Sequence, residues 1–174
     1  VTNAEQVVEL AEVAASLQGP VATHLHVETG MHRLGCAPAN AVALGAAIDA
    51  AEGLELVGVM THLGCADEPD EPATTEQLAC FDQVLEPFAG RGLQRHAFNS
   101  GAIFGQWQQR YEAVRPGLAL YGVPPCAAAQ GLLRPVLSWH CRVGAVRQVG
   151  VGERIGYGGR FVATRPTRVG ILPV

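Results

Sequence analysis

Apolar positions recur at helical spacing in three segments of the first half of the chain. Asn3 is of a residue type that caps helices. After it, apolar side chains repeat every three or four residues until Gly19. A second apolar stripe ends just before Gly53. A third follows Thr74 and Gln77, which have the spacing of a capping box. The pattern therefore predicts three helices that end or begin at these positions.

Strand patterns lie between the helical segments. Residues 21–29 alternate between apolar and polar side chains, and residues 54–61 form an apolar run of strand length. Shorter extended segments are predicted at residues 96–99 and around residues 118–121. Because strands alternate with helices, the sequence predicts a parallel sheet with helical crossovers.

The polar face of the first strand favours a barrel over an open, doubly wound sheet. His24, His26 and Glu28 share that face, and the inward side chains near the carboxyl-terminal rim of a barrel are those that carry chemistry. A complete barrel needs eight strands and about 250 residues, so this chain holds only part of one. Beyond a boundary near Pro135 the pattern becomes β-rich, with glycine-containing turns. We therefore predict an α/β fold, a partial (β/α)8 TIM-type barrel in residues 1–136 followed by the start of an all-β domain in residues 137–174.

Composition and charge narrow the function classes. The net charge is −4 and the arginines are scattered, which argues against nucleic-acid binding. No apolar run approaches the roughly 20 residues that span a bilayer, so no membrane partner is expected. Five cysteines without a C-x-x-C pair indicate reduced thiols and a cytoplasmic location. All 12 basic residues are arginines, and the chain contains no lysine.

Four clusters of glycine and polar residues each follow a predicted strand, at residues 28–35, 61–67, 99–101 and 115–122. Taken singly, each has a structural explanation as a turn, a helix cap, a buried histidine or a surface ion pair. The third and fourth also suit a phosphate. Ser100 offers a hydroxyl, and the backbone N–H groups of Gly117 and Leu118 can approach an anion closely because glycine has no Cβ.

Five motifs in one order resemble the successive motifs of the alanine racemases: E-T-G-M-H-R-L-G, T-H-L-G-x-A-D, F-N-S-G, R-P-G-L-A-L-Y-G and I-G-Y-G. The resemblance covers nearly the whole chain. It implies a barrel joined to a β-domain, pyridoxal 5'-phosphate as cofactor and a homodimer. It also implies the interconversion of L- and D-alanine, which supplies D-alanine for the bacterial cell wall.

The resemblance also implies which residues bind the cofactor. Ser100, Gly117 and Leu118 would hold its phosphate, with Asn99 beside them. Arg115 would face the pyridine nitrogen. A guanidinium is permanently protonated and cannot give that nitrogen a proton, so the ring would withdraw electrons less strongly and side reactions would be limited.

Further residues are implied to act on the substrate. His62 would pack beside the cofactor ring and contact Arg115, and Arg33 would lie near the cofactor's phenolic oxygen and the substrate carboxylate. Asp67 would line the path by which substrate reaches the site. Tyr157 would act as a catalytic acid and base in the site of the partner subunit.

The chain departs from the family pattern at two places. Racemisation in this family uses two bases, and the second is a lysine that also attaches the cofactor. With no lysine here, we expect an internal segment of such an enzyme, inactive by itself, with the lysine outside it. His26 stands where many members have a modified lysine that orients the motif arginine, and Glu28 replaces the usual aspartate. The placement of Arg33 and the substrate preference are therefore open.

Other functions remain as alternatives. His24, His26 and His62 resemble the ligand set of a metal-dependent barrel hydrolase. The missing lysine also fits a remnant that binds pyridoxal phosphate without turnover. A racemase that acts on serine is a third alternative.

Overall fold

Three parallel strands, with the helices that connect them, form the first part of the chain. In the computed structural model, which describes residues 1–68, 70–105, 107–109 and 111–174, the chain divides into units Val1–Val136 and Leu137–Val174. The strands of the first unit are β1 (Val21–His26), β2 (Leu54–Met60) and β3 (Gln94–His96). Its helices are α1 (Ala4–Ala14), α2 (Ala41–Ala50), α3 (Ala73–Leu85) and α4 (Ser100–Phe104). Short 3-10 helices cover Pro38–Asn40, Glu86–Phe88, Leu118–Tyr121 and Ala127–Ala129.

The sheet order is β1-β2-β3, as expected for strands joined by helical crossovers. An irregularity in register separates Thr23 from His24, after which His24 pairs with Gly58. Further along, Met60 pairs with His26 on one side and with His96 on the other. This register brings polar side chains of all three strands together at their carboxyl ends.

The core lies on the other face of the strands, against the helices. Leu25 and Val59 are fully buried there, together with Ile48 of α2 and Phe81 of α3. The alternation of polar and apolar side chains in β1 thus separates a helix-packed face from a face that carries histidines. This division is the one that the sequence pattern predicts.

Asn3 caps α1 as predicted, because its Oδ1 accepts a hydrogen bond from the Gln6 N–H at 2.9 Å. The capping box predicted for α3 is wrong. That helix begins at Ala73, and its first turn has no side-chain cap. Thr74 is fully buried, and the Gln77 side chain binds the loop after β2 and contacts the loop after β1 instead of capping the helix.

Two predicted extended segments also differ from the structure. Residues 118–121 form a 3-10 helix, which ends at Gly122 in the left-handed region with φ of 73°. The third strand ends at His96 instead of continuing to residue 99, because Asn99 already caps α4 by accepting a hydrogen bond from the Ala102 N–H.

The second unit consists of short antiparallel strands. They are β4 (Ala145–Val149), β5 (Arg154–Ile155), β6 (Phe161–Val162) and β7 (Thr167–Ile171). β4 pairs with β7 and β5 pairs with β6, and a 3-10 turn over Tyr157–Gly159 connects the latter pair. In the part of the chain that the structure describes, no helix has the length and apolarity that a membrane crossing requires.

Candidate active site

The polar clusters that follow the strands meet at the carboxyl ends of β1, β2 and β3, the end of a parallel sheet where ligand sites form. Arg115 lies at their centre. One nitrogen of its guanidinium donates to His96 Nδ1 at 2.6 Å and to the His96 carbonyl at 2.9 Å. The other donates to the Thr61 carbonyl at 2.6 Å and lies 3.4 Å from His62 Nδ1. These contacts fix the plane of the guanidinium against two strands.

Hydrogen-bond chemistry determines the tautomers along this chain of contacts. A guanidinium only donates, so His96 Nδ1 must accept and the proton of the ring must be on Nε2. His96 Nε2 lies 2.7 Å from His24 Nδ1, and the two rings meet edge to face with centroids 4.8 Å apart. His24 Nδ1 is therefore the acceptor. The line of donation runs from Arg115 through His96 to His24.

The site keeps its imidazoles neutral. Burial, with the positive charge of Arg115, lowers the pKa of His96 from 6.5 to about 4. Burial and the same arginine also lower the pKa of His24, His26 and His62. At neutral pH the arginine therefore retains its charge beside uncharged rings.

Gly58 explains how His24 reaches across a whole strand to His96. The ring of His24 lies directly over Gly58 in β2, where a Cβ would overlap His24 Nδ1 and lie 2.5 Å from His24 Cε1. Any side chain at this position would displace the ring. The sequence pattern places His24 on the inward face, but it does not single out His96, which is a lone histidine on a three-residue strand.

Ser100 lies at the other side of Arg115. Its Oγ accepts hydrogen bonds from the N–H of Gly117 at 2.8 Å and of Ala119 at 3.2 Å. A hydroxyl has two acceptor positions and one proton, so both acceptor positions are used and the proton remains to be donated. The Gly117 N–H, predicted from the sequence to face an anion, supports the hydroxyl in this structure. Leu118 begins a 3-10 helix, where its N–H has no helical acceptor.

A cavity of about 280 Å³ joins these residues, at the small end of the range for ligand pockets. Its walls include seven residues singled out from the sequence: His62, Asp67, Asn99, Ser100, Arg115, Gly117 and Leu118. Asn99 also connects two loops, since its amide nitrogen donates to the Leu63 carbonyl at 3.0 Å. Gly101 permits the close approach of the Asp67 segment, because a Cβ at Gly101 would be 2.8 Å from the Asp67 nitrogen.

Arg33 lies outside the cavity wall, on the exposed loop that follows β1. Its charge contributes, after burial and Arg115, to the lowered pKa of His62. The Glu28 carboxylate, a candidate to orient this arginine, accepts instead from the backbone N–H groups of Gly30, Met31 and Arg33 at 2.5, 2.6 and 3.2 Å. Partial burial raises the pKa of Glu28, but these hydrogen bonds outweigh burial and hold the pKa below its usual value. Glu28 therefore shapes the loop and does not bind the Arg33 side chain.

The structure does not favour the metal-site alternative in the part of the chain that it describes. Within residues 1–68, 70–105, 107–109 and 111–174, no group of three or more His, Cys, Asp or Glu side chains is arranged to hold a metal ion. His24 Nδ1 accepts a hydrogen bond from His96 and is not available as a ligand.

Tyr157 belongs to the second unit and is not assigned to this cavity. It lies on a turn in which Gly156, Gly158 and Gly159 all have positive φ, and its side chain is fully exposed. A turn of this kind presents the phenol outward.

Two family models cover the chain. The model of the N-terminal domain of alanine racemase matches residues 1–125, and that of the C-terminal domain matches residues 136–174. The chain belongs to the alanine racemase family. Its partial barrel and the following β-strands are the fold that the sequence resemblance implied, so the fold prediction is confirmed.

Individual relatives agree with this assignment. The chain is 38% identical to the alanine racemase of Sorangium cellulosum over 178 residues, which cover all of this chain and 47% of the relative. The structure of a biosynthetic alanine racemase from Pseudomonas aeruginosa matches with a TM-score of 0.80 and 35% identity, over 98% of this chain and 47% of that one. An alanine racemase from Bartonella henselae with covalently bound pyridoxal phosphate matches with a TM-score of 0.72 and 25% identity, over 98% and 47%. The chain therefore spans about half the length of the relatives it matches.

Proposed function

We propose that the protein containing this chain is an alanine racemase that depends on pyridoxal 5'-phosphate and interconverts L- and D-alanine. The observation that carries the proposal is the joint placement of Arg115 and Ser100 in one cavity, with neutral histidines behind the arginine. In a bacterium the reaction would supply D-alanine for the cell wall. The five free thiols fit the reducing cytoplasm, which we propose as its location.

The residues in the cavity fit this cofactor. The Ser100 hydroxyl and the Leu118 N–H are donors suited to a phosphate, with Gly117 supporting the hydroxyl and Asn99 fixing the loop. Arg115 is suited to the pyridine nitrogen, to which it can donate a hydrogen bond without transferring a proton. When bound, pyridoxal phosphate withdraws electrons from the Cα of an attached amino acid and makes its C–H bond acidic.

We also propose roles for the remaining residues. His62, beside Arg115 and kept neutral, would lie next to the bound cofactor without adding charge. Arg33, on the loop after β1, attracts the substrate carboxylate, and Asp67 lies along the path to the cavity. The Oη of Tyr157 holds or releases a proton on one face of the substrate Cα.

The site is completed by groups beyond this chain. The exposed Tyr157 turn acts in the cavity of a partner subunit, so the active form is a homodimer. A base on the opposite face of the substrate Cα is also required, and with no lysine among the 174 residues we assign it to a lysine in the remainder of the protein.

The test uses the protein in the longest form that its gene encodes, purified with pyridoxal phosphate. Formation of D-alanine from L-alanine is followed with D-amino-acid oxidase, and exchange of the α proton is followed by NMR in deuterated water. We expect both reactions to require the cofactor, and an Arg115→Gln variant to lose most of the activity. Exchange of serine but not alanine would reassign the substrate. A protein that binds the cofactor but exchanges no α proton would be a remnant without turnover, contrary to the proposal.

A further inference from the structure

A single buried amide joins two loops of the candidate active site. Gln77 projects from α3 with only 3% of its surface exposed. Its Oε1 accepts the Gly64 N–H at 2.9 Å, and its Nε2 donates to the His62 carbonyl at 3.0 Å. The same nitrogen lies 3.4 Å from Thr29 Oγ1, which is an acceptor on the neighbouring loop. One side chain therefore binds the segment after β1 and the segment after β2.

The two loops are also built to come close to this amide. A Cβ at Gly30 would lie 3.0 Å from Gln77 Cγ, and one at Gly64 would lie 3.7 Å from Gln77 Oε1. In both loops, therefore, the residue that approaches the Gln77 side chain is a glycine. Beneath it, Thr29 Oγ1 and Thr61 Oγ1 share a hydrogen bond of 2.6 Å. Gln77 lies at the point where the loops meet.

We infer that Gln77 is a positioning residue for the reaction, an inference that rests on the proposed function. It fixes the backbone of His62, whose ring lines the cavity beside Arg115. It also fixes the Thr29 segment, four residues before Arg33. By joining these segments, the amide sets the distance between the loop that carries Arg33 and the loop that carries His62.

The bonding pattern requires an amide. Glutamate has the same shape, but a carboxylate cannot donate to the His62 carbonyl and would place a negative oxygen against it. Leucine fills a similar volume without accepting or donating. Gln77→Leu thus removes all of these bonds, whereas Gln77→Glu removes only those that the amide nitrogen donates, and both largely keep the packing. Gln83, an exposed residue on the same helix, supplies the matched control Gln83→Glu.

The experiment compares these variants in the longest form of the protein that the gene encodes. We expect Gln77→Glu and Gln77→Leu to lower kcat for alanine by at least tenfold, and Gln83→Glu to retain it within twofold. Thermal unfolding of Gln77→Leu should remain a single cooperative transition with its midpoint well above the assay temperature, which separates positioning from a loss of fold. Wild-type kcat in both Gln77 variants would overturn the inference.

Hydrogen–deuterium exchange of peptides that contain Gly64 gives a readout that does not depend on activity. In the unaltered protein we expect the Gly64 N–H to be protected by Gln77 Oε1, and in Gln77→Leu, which lacks an acceptor, we expect at least tenfold faster exchange. Exchange in the unaltered protein at the rate of a free amide would overturn the inference. If the unaltered protein does not racemise alanine, the proposed function fails. The loss of Gly64 protection in Gln77→Leu would still support the connection between the loops.

Discussion

The absence of a side chain at Gly58 is the condition for the hydrogen bond between His24 and His96, and Gly58→Ala tests it. The new Cβ would overlap His24 Nδ1, and it would lie 2.5 Å from His24 Cε1 and 2.7 Å from the Gln94 carbonyl oxygen. The first two contacts are with a side chain that can move, but the third is with the backbone of the paired strand. The imidazole must therefore leave its place, and β2 must shift against β3.

The expected cost follows from these contacts. Overpacking of a well-packed site costs about 1 to 3 kcal/mol, and the lost hydrogen bond between the imidazoles costs about 1 kcal/mol. Against this, alanine restricts the unfolded chain more than glycine and restores about 0.5 kcal/mol. We expect Gly58→Ala to lower the free energy of unfolding by about 1.5 to 3.5 kcal/mol.

Urea unfolding followed by circular dichroism measures this change, with Gly64→Ala as the control. The nearest atom to a Cβ at Gly64 lies 3.7 Å away, an ordinary contact, so that variant should stay within about 0.5 kcal/mol of the unaltered protein. Combining Gly58→Ala with His24→Ala removes the ring that the methyl group displaces. The double variant should thus lose at least about 1 kcal/mol less than the sum of the single variants. A Gly58→Ala protein as stable as the control, or strictly additive losses, would refute the account.

Three further predictions concern charge and proton transfer. The pKa of His96 is lowered from 6.5 to about 4 in the folded protein, so between these pH values the unfolded chain binds a proton that the folded chain does not. The free energy of unfolding contributed by His96 is therefore fully present above pH 6.5. It falls by up to about 3 kcal/mol as the pH is lowered towards 4. Urea unfolding at successive pH values should show a steeper loss for the unaltered protein than for His96→Gln, and equal slopes would contradict the assignment. Glu28→Gln should lower the free energy of unfolding by about 1 to 3 kcal/mol, because backbone N–H groups lose a carboxylate acceptor. It should also raise KM for alanine, because the loop that carries Arg33 is displaced. An unchanged free energy of unfolding and an unchanged KM would count against the role of Glu28 in shaping this loop. Tyr157→Phe should lower kcat for alanine by about 100-fold or more. Because the side chain is exposed, the free energy of unfolding should not change. A loss of kcat of less than tenfold would exclude Tyr157 as a catalytic acid and base.

The parts of the fold that the sequence predicts are those with a strong period. The alternation of residues 21–29 places Leu25 in the core and His24 on the opposite face, as in the structure. The start of α3 differs from its prediction for a physical reason. Thr74 and Gln77 have the spacing of a capping box, but a local pattern cannot show that tertiary hydrogen bonds draw Gln77 to the loops. Side-chain contacts between distant segments determine the conformation there.

The same limit applies to the site. Arg115 and Ser100 occur in motifs, so the sequence alone identifies them. His96 occurs in no motif, and its part in the site follows from three facts that are only visible in three dimensions. These are the register of β3 against β2, the shift in register between Thr23 and His24, and the lack of a side chain at Gly58. The only sequence signal for His96 is a histidine three residues before the N-S-G motif, at the end of a short predicted strand.

The order of donors at Arg115 also explains why the site needs neutral imidazoles. If His96 took up a proton, its Nδ1–H would face the guanidinium N–H at 2.6 Å, donor against donor, beside a second positive charge. The arginine would then have to leave the Thr61 and His96 carbonyls that hold its plane. Burial and charge keep the pKa of His96 at about 4, so this conflict does not arise at neutral pH. The position of the Arg115 charge in the cavity is therefore maintained by groups that carry no charge themselves, and His24, which accepts the hydrogen bond at the far end, is part of that arrangement.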